Sequence, residues 1–136
     1  MSFRLNFDHH VSYDDERDRG ISIPVRLSAN DRSCLITAKL DTGCDFCIFE
    51  RRWGDWLGLD IESGSERVFR TMAGNFVTHQ HAVIVETCGI QFESVVYFAR
   101  DGAVSRSFVG RGGWLDHFRL AIVHYERDLF LSLYEA

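Results

Sequence analysis

A mainly β fold follows from three features of the sequence. Apolar residues recur at every second position in several separate runs, polar turn signals divide those runs, and only two short stretches carry helical spacing. Ile21, Ile23, Val25 and Leu27 alternate with Ser22, Pro24 and Arg26, the pattern of a half-buried strand. After the polar stretch 28–33 and its Asn30-Asp31 turn signal, Cys34, Ile36, Ala38 and Leu40 share one face, so 21–40 reads as a hairpin. Ile90, Phe92, Val96 and Phe98 mark a third strand, and 120–125 and 129–134 a final pair joined around Arg127-Asp128. An initial strand is expected at about residues 3–7, followed by the mixed-charge stretch 14–19 as a solvated turn.

Two stretches break that rhythm. Phe49, Trp53, Trp56 and Leu57 fall at helical spacing with Gly58 behind them, which predicts a short helix over 50–57. Trp114, Leu115 and Phe118 follow Gly112-Gly113 and predict one or two helical turns. Trp53, Trp56 and Trp114 read as core stripes of these helices.

With 136 residues, 46% of them hydrophobic, a single domain spanning 1–136 can bury a sizeable core without disulfides or metals. Lys and Arg number 15 against 20 Asp and Glu, a net charge of -5 that argues against nucleic acid and anionic lipid as partners. The longest apolar run, 95–99, is far below the ~20 residues that span a bilayer. The first ten residues hold no apolar signal-like core, so the expected location is cytoplasmic, with Cys34, Cys44, Cys47 and Cys88 as reduced thiols.

The chemistry centres on 34–43, where an apolar strand runs into Asp41-Thr42-Gly43. A carboxylate beside apolar Leu40 is costly to desolvate unless it is hydrogen-bonded, and glycine lets backbone amides approach it.

From this segment onward the order of motifs resembles the retropepsin-like family of aspartic proteases, over roughly residues 20–134. The strand 36–40 leading to Asp41-Thr42-Gly43 looks like the catalytic segment, and 69–77 like a flap with a glycine-containing tip. Phe108-Val109-Gly110-Arg111 looks like the hydrophobic-hydrophobic-Gly-Arg element that passes beneath the active site, and 113–118 sits where the family has a short C-terminal helix. The resemblance implies a mainly β, retropepsin-like closed barrel with one or two short helices. It also implies an endopeptidase in which two aspartates share one proton and activate a water between them. With a single Asp-Thr-Gly in the chain, the site would take Asp41 from each copy of a homodimer acting on a peptide or protein substrate, with no cofactor and no metal.

By the same resemblance Thr42 would bond across the dimer axis, Gly43 would offer its backbone to substrate, and Asp45 would bind substrate backbone and pair with Arg111. Met72, Ala73, Gly74 and Val109 would touch substrate, with Gly74 at the tip of a mobile flap over about 68–82, and strand 129–134 would lie at or near the dimer interface. Cys44 stands where relatives have alanine or serine. A thiol donates weakly, so it is expected to act like the alanine of retroviral members and not like the serine of pepsin-like ones. Phe46 is more apolar than the acids often found nearby, which leaves substrate preference open.

Competing readings remain at this point. Cys44 and Cys47 form a C-x-x-C that could be a redox pair, or half of a zinc site with Cys34 and Cys88. His79 and His81 share a strand face, as metal ligands do and as solvent-exposed strand histidines also do. The whole domain could instead be a dimeric, non-catalytic binding or scaffold module.

Overall fold

The structure, a computed structural model, describes residues 1–14, 20–71, 74–102 and 104–134. Its strands in chain order are β1 (His9–Ser12), β2 (Ser22–Ala29), β3 (Arg32–Leu40), β4 (Ile48–Phe49), β5 (Glu66–Thr71), β6 (Gly74–Thr87), β7 (Ile90–Ala99), β8 (Phe108–Val109), β9 (Phe118–Val123) and β10 (Asp128–Leu133). One α-helix, α1 (Arg51–Trp56), follows β4, and single 3₁₀ turns lie at Ile61–Ser63, Leu115–His117 and His124–Glu126. No helix among the described residues is long and apolar enough to cross a membrane.

Local chemistry sets the hairpins. Asn30 and Asp31 both take left-handed backbone angles, φ 51° and 62°, the geometry of a two-residue turn that short polar side chains tolerate. β2 and β3 leave this turn in register from Ala29↔Arg32 to Ser22↔Lys39. Cys88 and Gly89, at φ 53° and 81°, make the equivalent turn between β6 and β7.

Seven strands form one mixed sheet in the order β2-β3-β8-β4-β7-β6-β5, and β2 pairs again with β6 from Val25↔Thr87 to Ser28↔Ile84. The sheet therefore curls around the side chains on its inner face. The period-two pattern decides which ones these are: Ile23, Val25 and Leu27 of β2, Ile36, Ala38 and Leu40 of β3, and Val83 and Val85 of β6 are buried. Leu129 and Leu131 of β10, Trp114, Phe49 and Phe98 complete a single apolar cluster fed by both sheets. Each large side chain fully withdrawn from water is worth about 1.5–3 kcal/mol.

The second sheet, β1-β10-β9, revises the position of the first strand. The N-terminal strand is 9–12, not 3–7, because its partner β10 ends at Leu133. His9 already pairs with Leu131, so the earlier residues run past the end of the ladder and leave Phe3 and Leu5 exposed. β10 is the central strand of this sheet, with β1 on one edge and β9 on the other. The edges left open in this sheet are those of β1 and β9. The charged stretch expected over 14–19 lies outside the described residues except for Asp14.

Helical spacing also misplaces one tryptophan. α1 has six residues, too short to bury more than one side: Gly54 and the adjoining Leu57 turn inward, Trp53 is half-buried, and Trp56 is 58% exposed. Trp56 instead donates its indole N–H to the Ser33 carbonyl at 2.9 Å, with Arg32 over the ring. Trp114 is fully buried, as expected.

His79 and His81 do share a face of β6, but they hold structure on it. His79 is 2% exposed; its Nδ1–H donates to the Gly64 carbonyl at 2.9 Å, and its Nε2 accepts from Arg100 Nε at 3.0 Å. His81 Nε2 lies 2.9 Å from the Ile61 carbonyl. Both imidazoles thus pin the 61–64 segment to the sheet. Replacing His79 with leucine should leave Gly64 and Arg100 without that partner and lower stability by about 1–3 kcal/mol, read as a shift in the urea unfolding midpoint.

Candidate active site

The Asp41 loop is built by backbone hydrogen bonds on two sides of one segment, 107–112. β3 lies parallel to β8, with Lys39 N–H donating to the Ser107 carbonyl at 3.0 Å and Asp41 N–H to that of Val109 at 2.9 Å. On the other side the chain returning from the loop is caught again. Arg111 N–H donates to the Cys44 carbonyl at 2.9 Å, Gly112 N–H to that of Asp45 at 2.7 Å, and β4 meets β8 at Ile48↔Phe108. The loop leaves and re-enters the sheet on the two flanks of β8, and its tip projects from the sheet.

Gly110 makes this closeness possible. A Cβ on Gly110 would sit 2.5 Å from the Cys44 carbonyl oxygen and nearer still to that of Phe46. At the tip Asp41, Thr42 and Gly43 are exposed. One oxygen of the Asp41 carboxylate accepts the Gly43 N–H at 3.0 Å, and the Asp41 carbonyl accepts the Cys44 N–H at 3.1 Å. These contacts fix where the carboxylate points and leave it open to solvent.

Arg111 and Asp45 are brought together, a guanidinium nitrogen donating to one carboxylate oxygen. Both side chains are more than half exposed, so the pair contributes position more than stability. Val109 does not meet its expected part as a substrate contact: it is fully buried in the core, and what it supplies is the carbonyl that receives Asp41. Gly74 lies at the tip end of the β5–β6 hairpin, where it opens β6 paired with Thr71 at the end of β5, and takes φ 131°, an angle suited to glycine. Met72 and Ala73 lie outside the described residues.

A chain that carries a carboxylate on a loop laced to a Gly-Arg segment in this way can be compared with known proteins. No protein-family model and no curated protein matches it. Among solved structures it is similar to a retropepsin-like aspartic protease from Rickettsia conorii, at a TM-score of 0.65 and 17% identity, covering 95% of this chain and 100% of that one. It is also similar to EIAV protease in complex with an inhibitor, at a TM-score of 0.54 and 19% identity, covering 74% of this chain and 88% of that one. The fold is retropepsin-like. At these identities the likeness concerns architecture, and the chemistry is read from the residues.

Within the retropepsin-like loop the two cysteines stay protonated. Burial pushes the Cys44 thiol up, and the neighbouring Asp41 and Asp45 carboxylates add to the effect. Burial, the main cause, takes Cys47 up to about 12, and its thiol points at the Gly112 carbonyl, 3.6 Å away. All four cysteines are unpaired thiols, and their thiolate forms, which redox exchange or zinc binding would need, are disfavoured. Among the described residues no group of three or more His, Cys, Asp or Glu side chains is placed to hold a metal.

Two features of the site were not anticipated. Ser107 is 1% exposed and serves both flanks, its carbonyl taking Lys39 N–H and its hydroxyl taking Glu50 N–H at 3.2 Å. Phe46 joins Phe69 of β5 and Tyr97 of β7 in an aromatic cluster, with ring centroids 5.1–6.1 Å apart. A hollow lined by Phe46, Tyr97, Gly112, Gly113, Asp116 and His117 lies beside the loop and does not include Asp41.

Gly110→Ala should displace the Asp41 loop or unfold it. The expected cost is about 1–3 kcal/mol or more by urea denaturation, with amide chemical-shift changes concentrated at 41–46. An unchanged midpoint and spectrum would mean that the close approach at Gly110 is not required.

Proposed function

We propose that the chain is an aspartic endopeptidase that works as a homodimer, with one Asp41 from each copy. The observation that carries this reading is the position of Asp41: a solvent-open carboxylate at the end of an apolar strand, aimed by Gly43 N–H and braced by Val109, in a retropepsin-like fold. A single carboxylate cannot act as acid and base at once. Two of them a few ångströms apart cannot both ionise, so one holds a proton and the other accepts one. The ionised carboxylate takes a proton from the attacking water while the protonated one donates to the peptide carbonyl oxygen. Collapse of the tetrahedral adduct then breaks the C–N bond as the amine nitrogen is protonated.

In this reading Thr42 bonds to its counterpart loop across the dimer axis, Gly43 and Asp45 bind substrate backbone, and Arg111 holds Asp45 in place. The β5–β6 hairpin with Met72, Ala73 and Gly74 is the flap, opening to admit the peptide. β10 is already flanked on both edges, so the dimer would assemble through an open edge, β1 or β9, or through exposed apolar side chains of that sheet such as Ile122, Val123 and Leu133. The reaction needs no cofactor.

Asp41→Asn should lower kcat for peptide hydrolysis by roughly 10²- to 10⁴-fold while the dimer, read by sedimentation at micromolar concentration, persists. A wild-type dimer that binds peptides and hydrolyses none of a diverse library would favour the binding-module reading.

The pH profile tests the environment of the pair. Because the Cys44 thiol stays neutral and donates weakly, nothing at that position favours the ionised pair, and activity should fall in a window of roughly pH 4.5 to 6.5. Serine at 44 donates to the carboxylates and stabilises their ionised form, so Cys44→Ser should move the acid limb of the profile to lower pH. A wild-type optimum near roughly pH 3, or an alkaline shift in the serine variant, would contradict this assignment.

A further inference from the structure

Arg67 sits on β5 with its guanidinium carbon 4.4 Å from the centre of the Phe46 ring and 5.8 Å from that of Tyr97. Phe69, two residues on and so on the same face of the strand, packs edge-on against both rings. Phe46 belongs to the Asp41 loop, so this face of the β5–β6 hairpin looks toward that loop. A cation held over a ring face uses none of its N–H donors on a hydrogen-bond acceptor, and no hydrogen bond of this guanidinium to a carboxylate is found among the described residues.

Arg70, three residues on, lies on the opposite face of β5, and the arginines around the hairpin base and the loop are committed. Arg51 bonds to Asp55 and Glu62, Arg52 to Glu50, Arg100 to Glu66 and Arg111 to Asp45. Arg67 has no carboxylate partner among the described residues. Glu66, its neighbour in β5, and Asp45, the neighbour of Phe46 in the loop, already belong to Arg100 and Arg111. Its backbone is also held, its carbonyl accepting from the Thr78 hydroxyl at 2.8 Å. An exposed guanidinium on an aromatic platform, oriented and without a counter-ion, is a receptor for a carboxylate.

We propose that Arg67 is a specificity-determining residue beside the Asp41 loop, selecting substrate peptides that carry an acidic side chain next to the Phe46–Phe69–Tyr97 cluster. This rests on the endopeptidase reading and adds a substrate class to it. The aromatic rings take the methylene groups of the acidic side chain, and Arg67 takes its carboxylate.

The test is a set of peptides sharing one cleavable sequence, with each position on either side of the scissile bond in turn set to Glu, Gln or Lys. At one position the ratio of kcat/KM for Glu over Gln should be about three- to tenfold at low salt and should shrink as salt rises. Arg67→Gln should bring the ratio to about one, and Arg67→Glu should turn the preference to Lys. Each ratio is taken within one protein, so a general loss of activity cancels. Cleavage with no charge preference at any position, or a preference that Arg67→Glu leaves intact, overturns the inference while the endopeptidase reading stands. If no peptide is cleaved, the endopeptidase reading fails. The affinities of the Glu and Gln peptides, measured by fluorescence anisotropy on the wild type and Arg67→Glu, then decide the receptor role separately, equal affinities overturning it.

Discussion

Between Ser107 and Gly112 a single strip of backbone gives and receives hydrogen bonds on both sides. Lys39 and Asp41 donate to it from one flank, and it donates to Cys44 and Asp45 on the other. The tip of the Asp41 loop has little side-chain support of its own, since Thr42 and Gly43 are exposed and the Asp45–Arg111 pair lies in solvent. Its shape is therefore inherited from the strip, and the strip can lie this close only because Gly110 has no side chain. A carboxylate held by main-chain geometry is fixed as firmly as the sheet itself, while its surface remains free for other groups to approach.

A second set of polar contacts braces the base of the β5–β6 hairpin. Arg51 on α1 bonds to Glu62 and, at 2.5 Å, to the Arg100 carbonyl; Arg100 reaches His79 and Glu66; His79 reaches Gly64. The hydrogen bond from Arg51 holds the Glu62 carboxyl down to about 2. Because the folded value lies below that of the unfolded chain, the contribution of Glu62 is present above the ordinary carboxylate range and is lost only as pH falls through about 2. Solvent screening keeps that contribution small. Its sign nevertheless means that the Arg51–Glu62 pair itself persists in mild acid.

Much of the architecture was legible because it is local. Alternation in 21–40 and the Asn30-Asp31 pair specify a hairpin without reference to the rest of the chain, and Asp41-Thr42-Gly43 with Phe108-Val109-Gly110-Arg111 marked the two segments that meet. What escaped was set by distant partners. Residues 3–7 alternate as a strand should, but the end of β10 decides how far the ladder extends. Trp56 has helical spacing, yet α1 is too short to turn it inward. His79 looks like a surface histidine until the 61–64 turn and Arg100 close over it. At the site, Val109 was legible as part of the strip, but its burial was not, because the direction of its side chain follows from pairing with β3.

β6 is a single strand of 14 residues, about 45 Å of continuous chain. Residues 78–87 pair with β7, and the last of them also with β2, whereas Gly74–Val77 pair with β5 alone. The inner half sets the phase of the outer half. A slip of one residue in the inner half would exchange buried Val83 and Val85 for Ile84 and Glu86 and drive a carboxylate into the core. Over that stretch the chain cannot gain or lose a single residue without inverting its faces.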